Sequence, residues 1–183
     1  MIREPFVCID TETTGLKPDR DRLIEVGLVR IEEGKEVDRY QTLLQPGISL
    51  PAIITDITGI TDEDLLDAPR FQDVAEEIAS FLDGALFVAH NAEFDYGFLK
   101  YEFARVDIDL SLSRLCTVRL SRMLYPEHRR HDLSSIIERY RFPIESRHRA
   151  FDDALIVWKL LEQMKSDLPH EDILRAIERV RVG

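Results

Sequence analysis

Residues 6–15, Phe-Val-Cys-Ile-Asp-Thr-Glu-Thr-Thr-Gly, decide the fold of this chain. Their first four side chains form a short apolar run, which is typical of a buried central strand. Because strand side chains alternate between the two faces of a sheet, Asp10 and Glu12 project to the same side where this strand ends. Open α/β sheets bind ligands at that end, and Gly15 permits the backbone to approach a ligand closely. The alternative, an edge strand with two solvated acids, disagrees with the apolar run before them.

Apolar periodicity along the rest of the chain predicts an α/β fold with a mixed sheet. Residues 23–31 alternate apolar and polar side chains, and a turn at 32–35 leads into a returning strand at 37–44. A short apolar run at 85–89 predicts a further strand, and Asn91 after it is an N-cap candidate. Helical spacing and stop signals predict helices at residues 71–82, 91–102, 115–124, 133–140, 150–164 and 171–180.

Composition indicates one ordinary domain that is not bound to a membrane. The chain has 183 residues, of which 44% are hydrophobic and 32% charged, enough to bury a substantial core. No apolar run approaches the roughly 18 residues that a membrane span needs, and the N-terminus lacks a signal-peptide pattern. Cys8 and Cys116 do not have the spacing of metal ligands, so we expect a reduced, cytoplasmic setting without zinc.

The net charge of −11 is unevenly distributed along the chain. Residues 1–104 carry 9 basic and 22 acidic side chains, or −13, whereas residues 105–150 carry 10 basic and 6 acidic, or +4. The positive segment is rich in arginine, with His128 and His131 interleaved, and offers candidate contacts for nucleic-acid phosphates. A solvated helical surface explains the same pattern equally well.

Helical geometry separates Asp95 from its neighbour Glu93. At about 100° per residue, Phe98 and Leu99 fall on the flank of Asp95, which places this acid on an apolar face. Glu93 points to the opposite side, where solvent is expected. An acid near the start of a helix also stabilises the helix dipole, so a purely structural role is the alternative for Asp95.

The same geometry selects Asp153 over Asp152 in the helix predicted from residue 150. Asp152 lies on the polar side, whereas Asp153 shares a face with an apolar stripe. That stripe consists of Ile156, Val157, Leu160 and Met164. A charged residue on such a stripe is costly unless it is paired or coordinates a metal. His148, five residues earlier, falls on the preceding loop and suits a proton acceptor, because its ordinary pKa is near 6.5.

Three segments in this order resemble the exonuclease motifs of the DnaQ-like family. They are residues 10–16 (DTETTGL), residues 90–95 (HNAEFD), and His148 followed by Asp153, a spacing similar to that of the DEDDh branch. Residues 58–61 (TGIT) and 68–71 (APRF) resemble the segment that links the first two motifs. The family consists of 3′–5′ exonucleases, and its RNase H-like fold implies a mixed five-stranded sheet flanked by helices. We expect residues 1–165 to form this domain and residues 166–183 to be a C-terminal helical extension of it.

The resemblance implies a role for individual residues of these motifs. Asp10, Glu12, Asp95 and Asp153 would hold two Mg²⁺ or Mn²⁺ ions, and His148 would be the general base. The residues expected to bind the terminal nucleotide are Thr13, Thr14, Gly15, Leu16, Thr58 and Asn91.

The predicted function is the release of 5′-mononucleotides from 3′ ends of single-stranded DNA. Three alternatives stay open: an oligoribonuclease-like enzyme acting on short RNA, a proofreading module bound to a DNA polymerase or another replication or repair partner, and a non-catalytic interaction module. Proofreading subunits of the family often have histidine where this chain has Thr58, which is more similar to domains fused to Gram-positive replicative polymerases or to helicase-like proteins. Residues 166–183 show no convincing clamp-binding motif, so the sequence does not secure a proofreading role.

Overall fold

Five strands form one mixed sheet within residues 2–143 and 148–183, which the structure, a computed structural model, describes. In chain order they are β1 (Phe6–Thr13), β2 (Leu23–Glu32), β3 (Lys35–Leu43), β4 (Leu86–Ala89) and β5 (Arg114–Cys116). Their order across the sheet is β3-β2-β1-β4-β5. The first three are antiparallel neighbours, whereas β1, β4 and β5 are parallel, so the carboxyl ends of β1, β4 and β5 meet at one edge.

Helices cover the sheet and confirm the predicted α/β class. Over the described residues they are α1 (Ala52–Thr58), α2 (Phe71–Leu82), α3 (Ala92–Ala104), α4 (Thr117–Leu124), α5 (Leu133–Tyr140), α6 (Ala150–Asp167) and α7 (His170–Val180). The longest, α6, packs across β1 and β2, and α7 packs on α4. Among the residues that the structure describes, no helix combines the length and apolar character that a membrane span needs.

The predictions of residue placement in α3 and α6 are confirmed. Asp95 and Asp153 are each 3% exposed, and the stripe that follows Asp153 in α6 is buried throughout. Glu93 is exposed and pairs with Arg114, and Asp152 is only partly buried. Cys8 is also buried, and like the second cysteine it forms no disulfide.

The prediction for β1 is confirmed, whereas three other local features differ from what the sequence led us to expect. The strand β1 continues past its apolar run to Thr13, so both acids lie within its ladder, as the alternation of side chains required. The helix predicted from residue 115 begins at Thr117, because the preceding residues pair with β4 as β5, a strand too short to show a period of its own. The helix α1 was not predicted, since it is rich in β-branched residues, and the exposed Ile53 and Ile57 give it no clear buried stripe. Asn91 precedes α3 with a left-handed φ of 81°, but its side chain makes no capping hydrogen bond.

A close contact between β2 and α6 positions the start of this helix. A Cβ atom built on Gly27 would lie 2.3 Å from the backbone carbonyl carbon of Ala150 and 2.3 Å from the backbone nitrogen of Phe151. No side chain fits there, so glycine permits the first turn of α6 to rest directly on the strand. That first turn carries Asp153, and Gly27 is the register partner of Asp10 on β1.

Candidate active site

Three of the five residues predicted to be catalytic converge at the edge of the sheet. Glu12 on β1, His148 on the loop before α6, and Asp153 in the first turn of α6 each offer one ligand atom, and these atoms all lie within 4.8 Å of one another. Asp153 is buried, while Glu12 and His148 are partly exposed. The arrangement combines two carboxylates with one imidazole at a place that solvent reaches.

The loop conformation brings His148 to this position. Its φ of 57° lies in the left-handed region, which a residue with a Cβ atom adopts only where its surroundings impose it. Beyond the next residue α6 begins, and the amide of Asp153 donates to the carbonyl oxygen of Arg149 (3.0 Å). The histidine is therefore off the helix, as predicted, and the acid is within its first turn.

Asp95 reaches β1 from the other face of the sheet. The hydroxyl of Thr11 donates to its Oδ1 atom at 2.8 Å, and Thr11 points away from the face that carries Asp10 and Glu12. Burial raises the pKa of Asp95 from its ordinary value near 3.8 to about 7, although the hydrogen bond from Thr11 acts in the opposite direction. A bound cation would keep this carboxyl ionised at neutral pH.

The acidic residues fit a divalent cation, although the structure does not unite all of them. Asp10 shares a strand face with Glu12, and Asp95 lies in the first turn of α3, but neither belongs to the group whose ligand atoms lie within 4.8 Å. Hard cations such as Mg²⁺ take oxygen ligands, which carboxylates supply. A cation would also offset the cost of burying Asp95 and Asp153.

The residues predicted to bind a nucleotide divide into buried and exposed groups. The hydroxyl of Thr13 donates to the Gly15 carbonyl oxygen (2.5 Å), that of Thr14 accepts from the backbone amide of Arg22 (2.9 Å), and that of Thr58 donates to a carbonyl oxygen within α1 (2.9 Å). These buried threonines therefore shape the turns of the site through their own hydrogen bonds. Gly15 is partly exposed, and Leu16, with 81% of its surface exposed, is accessible together with Asn91. Contacts of these residues with a substrate stay a prediction.

Sequence reasoning missed Thr11 and Glu25, which lie beside the predicted residues, and it counted Arg149 only within the basic segment that offers phosphate contacts. Glu25 is fully buried in β2 and binds Arg149, the residue that follows His148. Glu25 could have been found, because it is a charged residue inside an apolar strand, Leu-Ile-Glu-Val. Its partner Arg149 lies 124 residues away in the sequence, and no local pattern could have linked the two.

Comparison with known proteins shows the family. The model of the exonuclease family RNase_T matches residues 7–161, most of the chain. The chain belongs to this exonuclease family. The match includes every residue predicted to be catalytic.

Two relatives are longer proteins than this chain. It is 38% identical over 176 residues to the 3′-5′ exonuclease DinG of Bacillus subtilis (strain 168). The aligned region covers 93% of this chain and 19% of that protein. It is 36% identical over 169 residues to the PolC-type DNA polymerase III of Oceanobacillus iheyensis, which covers 90% of this chain and 12% of the polymerase. The chain thus spans about a fifth or less of the length of these relatives.

Solved structures of other exonucleases share the fold. Exonuclease X in complex with 5′-overhanging duplex DNA superposes with a TM-score of 0.73 at 24% identity, covering 94% of this chain and 99% of that one. Escherichia coli Exonuclease I in complex with a dA16 oligonucleotide gives a TM-score of 0.83 at 18% identity, covering 94% of this chain and 43% of that one. At these identities the similarity establishes the fold alone, and the predicted RNase H-like architecture is confirmed.

Proposed function

We propose that this chain is a metal-dependent 3′–5′ exonuclease that releases 5′-mononucleotides from single-stranded DNA ends. The observation that carries the proposal is the convergence of Glu12, His148 and Asp153 within 4.8 Å in a chain of the exonuclease family. Exonucleases of this family generally use divalent metal ions, and the convergent acids are candidate ligands. The relative from Bacillus subtilis is named a 3′-5′ exonuclease, which supports this direction for the present chain.

In the proposed mechanism, four carboxylates and one histidine have separate tasks. Asp10, Glu12, Asp95 and Asp153 would hold two Mg²⁺ or Mn²⁺ ions, which supply activation of a water molecule and stabilisation of the leaving 3′ oxygen. His148 accepts the proton of the attacking water, for which its partly exposed loop position beside the acids is suited. The hydrogen bond from the hydroxyl of Thr11 to Oδ1 of Asp95 holds this carboxylate in one orientation.

Substrate contacts are proposed for the basic segment that follows β5. Arg119, Arg122, Arg129 and Arg130 are exposed on α4 and the loop after it. This loop is tied to the active-site edge, because the Nε2–H group of His90, directly after β4, donates to the carbonyl oxygen at residue 131 (2.8 Å). Exposed cations near the reactive edge support binding of a polyanionic strand, despite the acidic character of the whole chain.

DNA is the preferred substrate over short RNA. Both longer relatives are named as DNA-processing or exonuclease proteins, and the two solved exonucleases described above are complexes with DNA. The similarity to a PolC-type polymerase also supports a second candidate, a proofreading module that works with a polymerase or another replication or repair partner.

For the chain itself we propose a single exonuclease domain in a cytoplasmic setting. Residues 166–183 would extend the domain formed by residues 1–165, because α7 packs on α4 and Val182 forms a β-bridge with Arg114 of β5. Both cysteines are free and buried, as expected in a reducing compartment.

The function is tested by digestion of end-labelled single-stranded DNA and RNA of matched sequence with Mg²⁺, with Mn²⁺ and with a chelator. We expect DNA to be shortened from its 3′ end with either metal. RNA should be digested more slowly, and neither substrate should be digested in the chelator. Asp10→Ala should abolish the reaction. Faster digestion of RNA would favour the oligoribonuclease-like alternative, and metal-independent digestion would contradict the mechanism.

A further inference from the structure

Glu25 is a fully buried carboxylate that the proposed reaction does not use. It is the third residue of β2, between Ile24 and Val26, and all three residues have no exposed surface. Burial of a charge is costly unless it is paired and hydrogen-bonded, so this position requires partners.

The partners of Glu25 are all hydrogen-bond donors. Its Oε1 atom accepts from Nε2 of Gln41 (2.8 Å) and from Nη2 of Arg149 (2.8 Å), and the Nε–H group of Arg149 lies 3.2 Å from both oxygens. Its Oε2 atom accepts from the backbone amide of Ala150 (3.0 Å). A carboxylate, which only accepts, matches such a set on both of its oxygens.

Through these contacts, a side chain on β2 holds the start of α6. Arg149 is the N-cap residue of this helix, and its own side chain makes no capping hydrogen bond. Glu25 instead accepts from the first helical amide and places a negative charge at the positive end of the helix. Glu25 is also the register partner of Glu12 on β1, so the two side chains share one face of the sheet.

The neighbours of this ion pair are residues of the proposed active site. His148 directly precedes Arg149, and the amide of Asp153 donates to the Arg149 carbonyl oxygen. Glu25 therefore connects β2, the strand that pairs with β1 at Glu12, with the segment that carries His148 and Asp153.

We infer that the Glu25–Arg149 pair is a positioning device that holds His148 and Asp153 against Glu12. The inference rests on the proposed exonuclease function for its effect on catalysis, but the contact itself is independent of it. Glu25→Gln is the diagnostic change, because the amide has nearly the same shape but replaces one acceptor by a donor that faces donors. The start of α6 then loses one of its anchors.

Glu102 provides a matched control. It is also a buried carboxylate, 2% exposed, and it binds Arg22 (2.6 and 3.0 Å) and Arg105 (2.9 Å), neither of which belongs to α6 or the residues just before it. Glu102→Gln should lower stability as Glu25→Gln does, without displacing the convergent group. Arg149→Lys keeps a cation for Glu25 but loses the planar fork, so its effect should lie between wild type and Arg149→Ala.

The experiment combines hydrogen exchange with steady-state kinetics on end-labelled single-stranded DNA, at a temperature where every variant is folded. For Glu25→Gln we expect amides of residues 149–153 to exchange at least about 10-fold faster, because helix-terminal protection is lost. We expect kcat to fall by about 10- to 100-fold with KM within about threefold, because a displacement of 1 Å costs that much in rate while binding contacts remain. Glu102→Gln should change neither the amide exchange of residues 149–153 nor kcat by more than about twofold.

Unchanged exchange at residues 149–153 in Glu25→Gln would overturn the inference, and so would a wild-type kcat or an equal loss of kcat in Glu102→Gln. If the wild-type chain degrades no nucleic acid, the proposed function fails, while the exchange measurement still decides whether Glu25 holds this segment.

Discussion

Gly27→Ala tests whether the close contact between β2 and α6 sets the active-site geometry. The added Cβ atom would lie 2.3 Å from backbone atoms of Ala150 and Phe151, whereas ordinary contacts begin at 3.4 Å. Since the obstructing atoms are backbone, no side-chain rotation relieves the clash, and the two elements must separate by about 1.1 Å. The displaced turn of α6 is the one that carries Asp153.

Two effects of this displacement are expected. Overpacking should lower the free energy of unfolding by about 1–3 kcal/mol, measured by urea denaturation. A shift of about 1 Å at the start of α6 should lower kcat on single-stranded DNA by about 100-fold, measured at a temperature well below unfolding. The effect on KM should be small, because the exposed residues proposed to contact the substrate, such as Leu16 and Arg129, are unchanged.

Gly97→Ala is the matched control for this change. Gly97 lies in the middle of α3, and its added Cβ atom would meet only the Cγ atom of Pro18 at 3.7 Å, an ordinary contact. Alanine in a helix is favoured over glycine by about 0.5–1 kcal/mol, so this variant should be as stable as wild type or more so. A Gly27→Ala variant with wild-type stability and kcat would refute the proposed coupling between β2 and the site.

Three further predictions concern ionisation and charge. Because burial raises the pKa of Asp95 to about 7, the folded chain binds this proton more tightly than the unfolded chain does. In a chelator, Asp95 should therefore contribute a fall of up to about 4 kcal/mol in the free energy of unfolding between pH 4 and pH 7, and urea titrations of Asp95→Asn should lack this contribution. Replacement of Arg129 and Arg130 by glutamine should raise KM for DNA by about 10-fold at low salt and reduce its salt dependence, whereas Arg175→Gln on α7 should not. Burial raises the pKa of the Cys8 thiol, so alkylating reagents should modify it only after unfolding, as mass spectrometry would show.

The sequence was most informative where the pattern was long and the constraint local. Eighteen residues of α6 distinguish Asp153 from Asp152, because a helix with an apolar stripe has room for only one of two adjacent acids on that face. The apolar run before Asp10 predicted β1 from a local pattern as well, since a continuous apolar run is typical of a buried strand. Short elements escaped, since the three residues of β5 show no period and are defined by pairing with β4.

Contacts between distant segments could not be predicted from the sequence. The bond between Glu25 and Arg149 joins residues 124 positions apart, and only the packing of α6 across β1 and β2 brings them together. Likewise, the alternation of side chains placed Asp10 and Glu12 on one face, but it did not show that Thr11 would bind Asp95 from the other.

The most direct test of the proposed active site is the digestion of 5′-labelled single-stranded DNA in Mg²⁺ by Asp153→Asn and Asp152→Asn, compared with wild type. We predict that wild type and Asp152→Asn shorten the labelled strand progressively from its 3′ end, and that Asp153→Asn lowers the rate by at least about 100-fold. Equal rates for the two variants would contradict the assignment of Asp153, and immediate release of the labelled nucleotide would contradict the 3′–5′ direction.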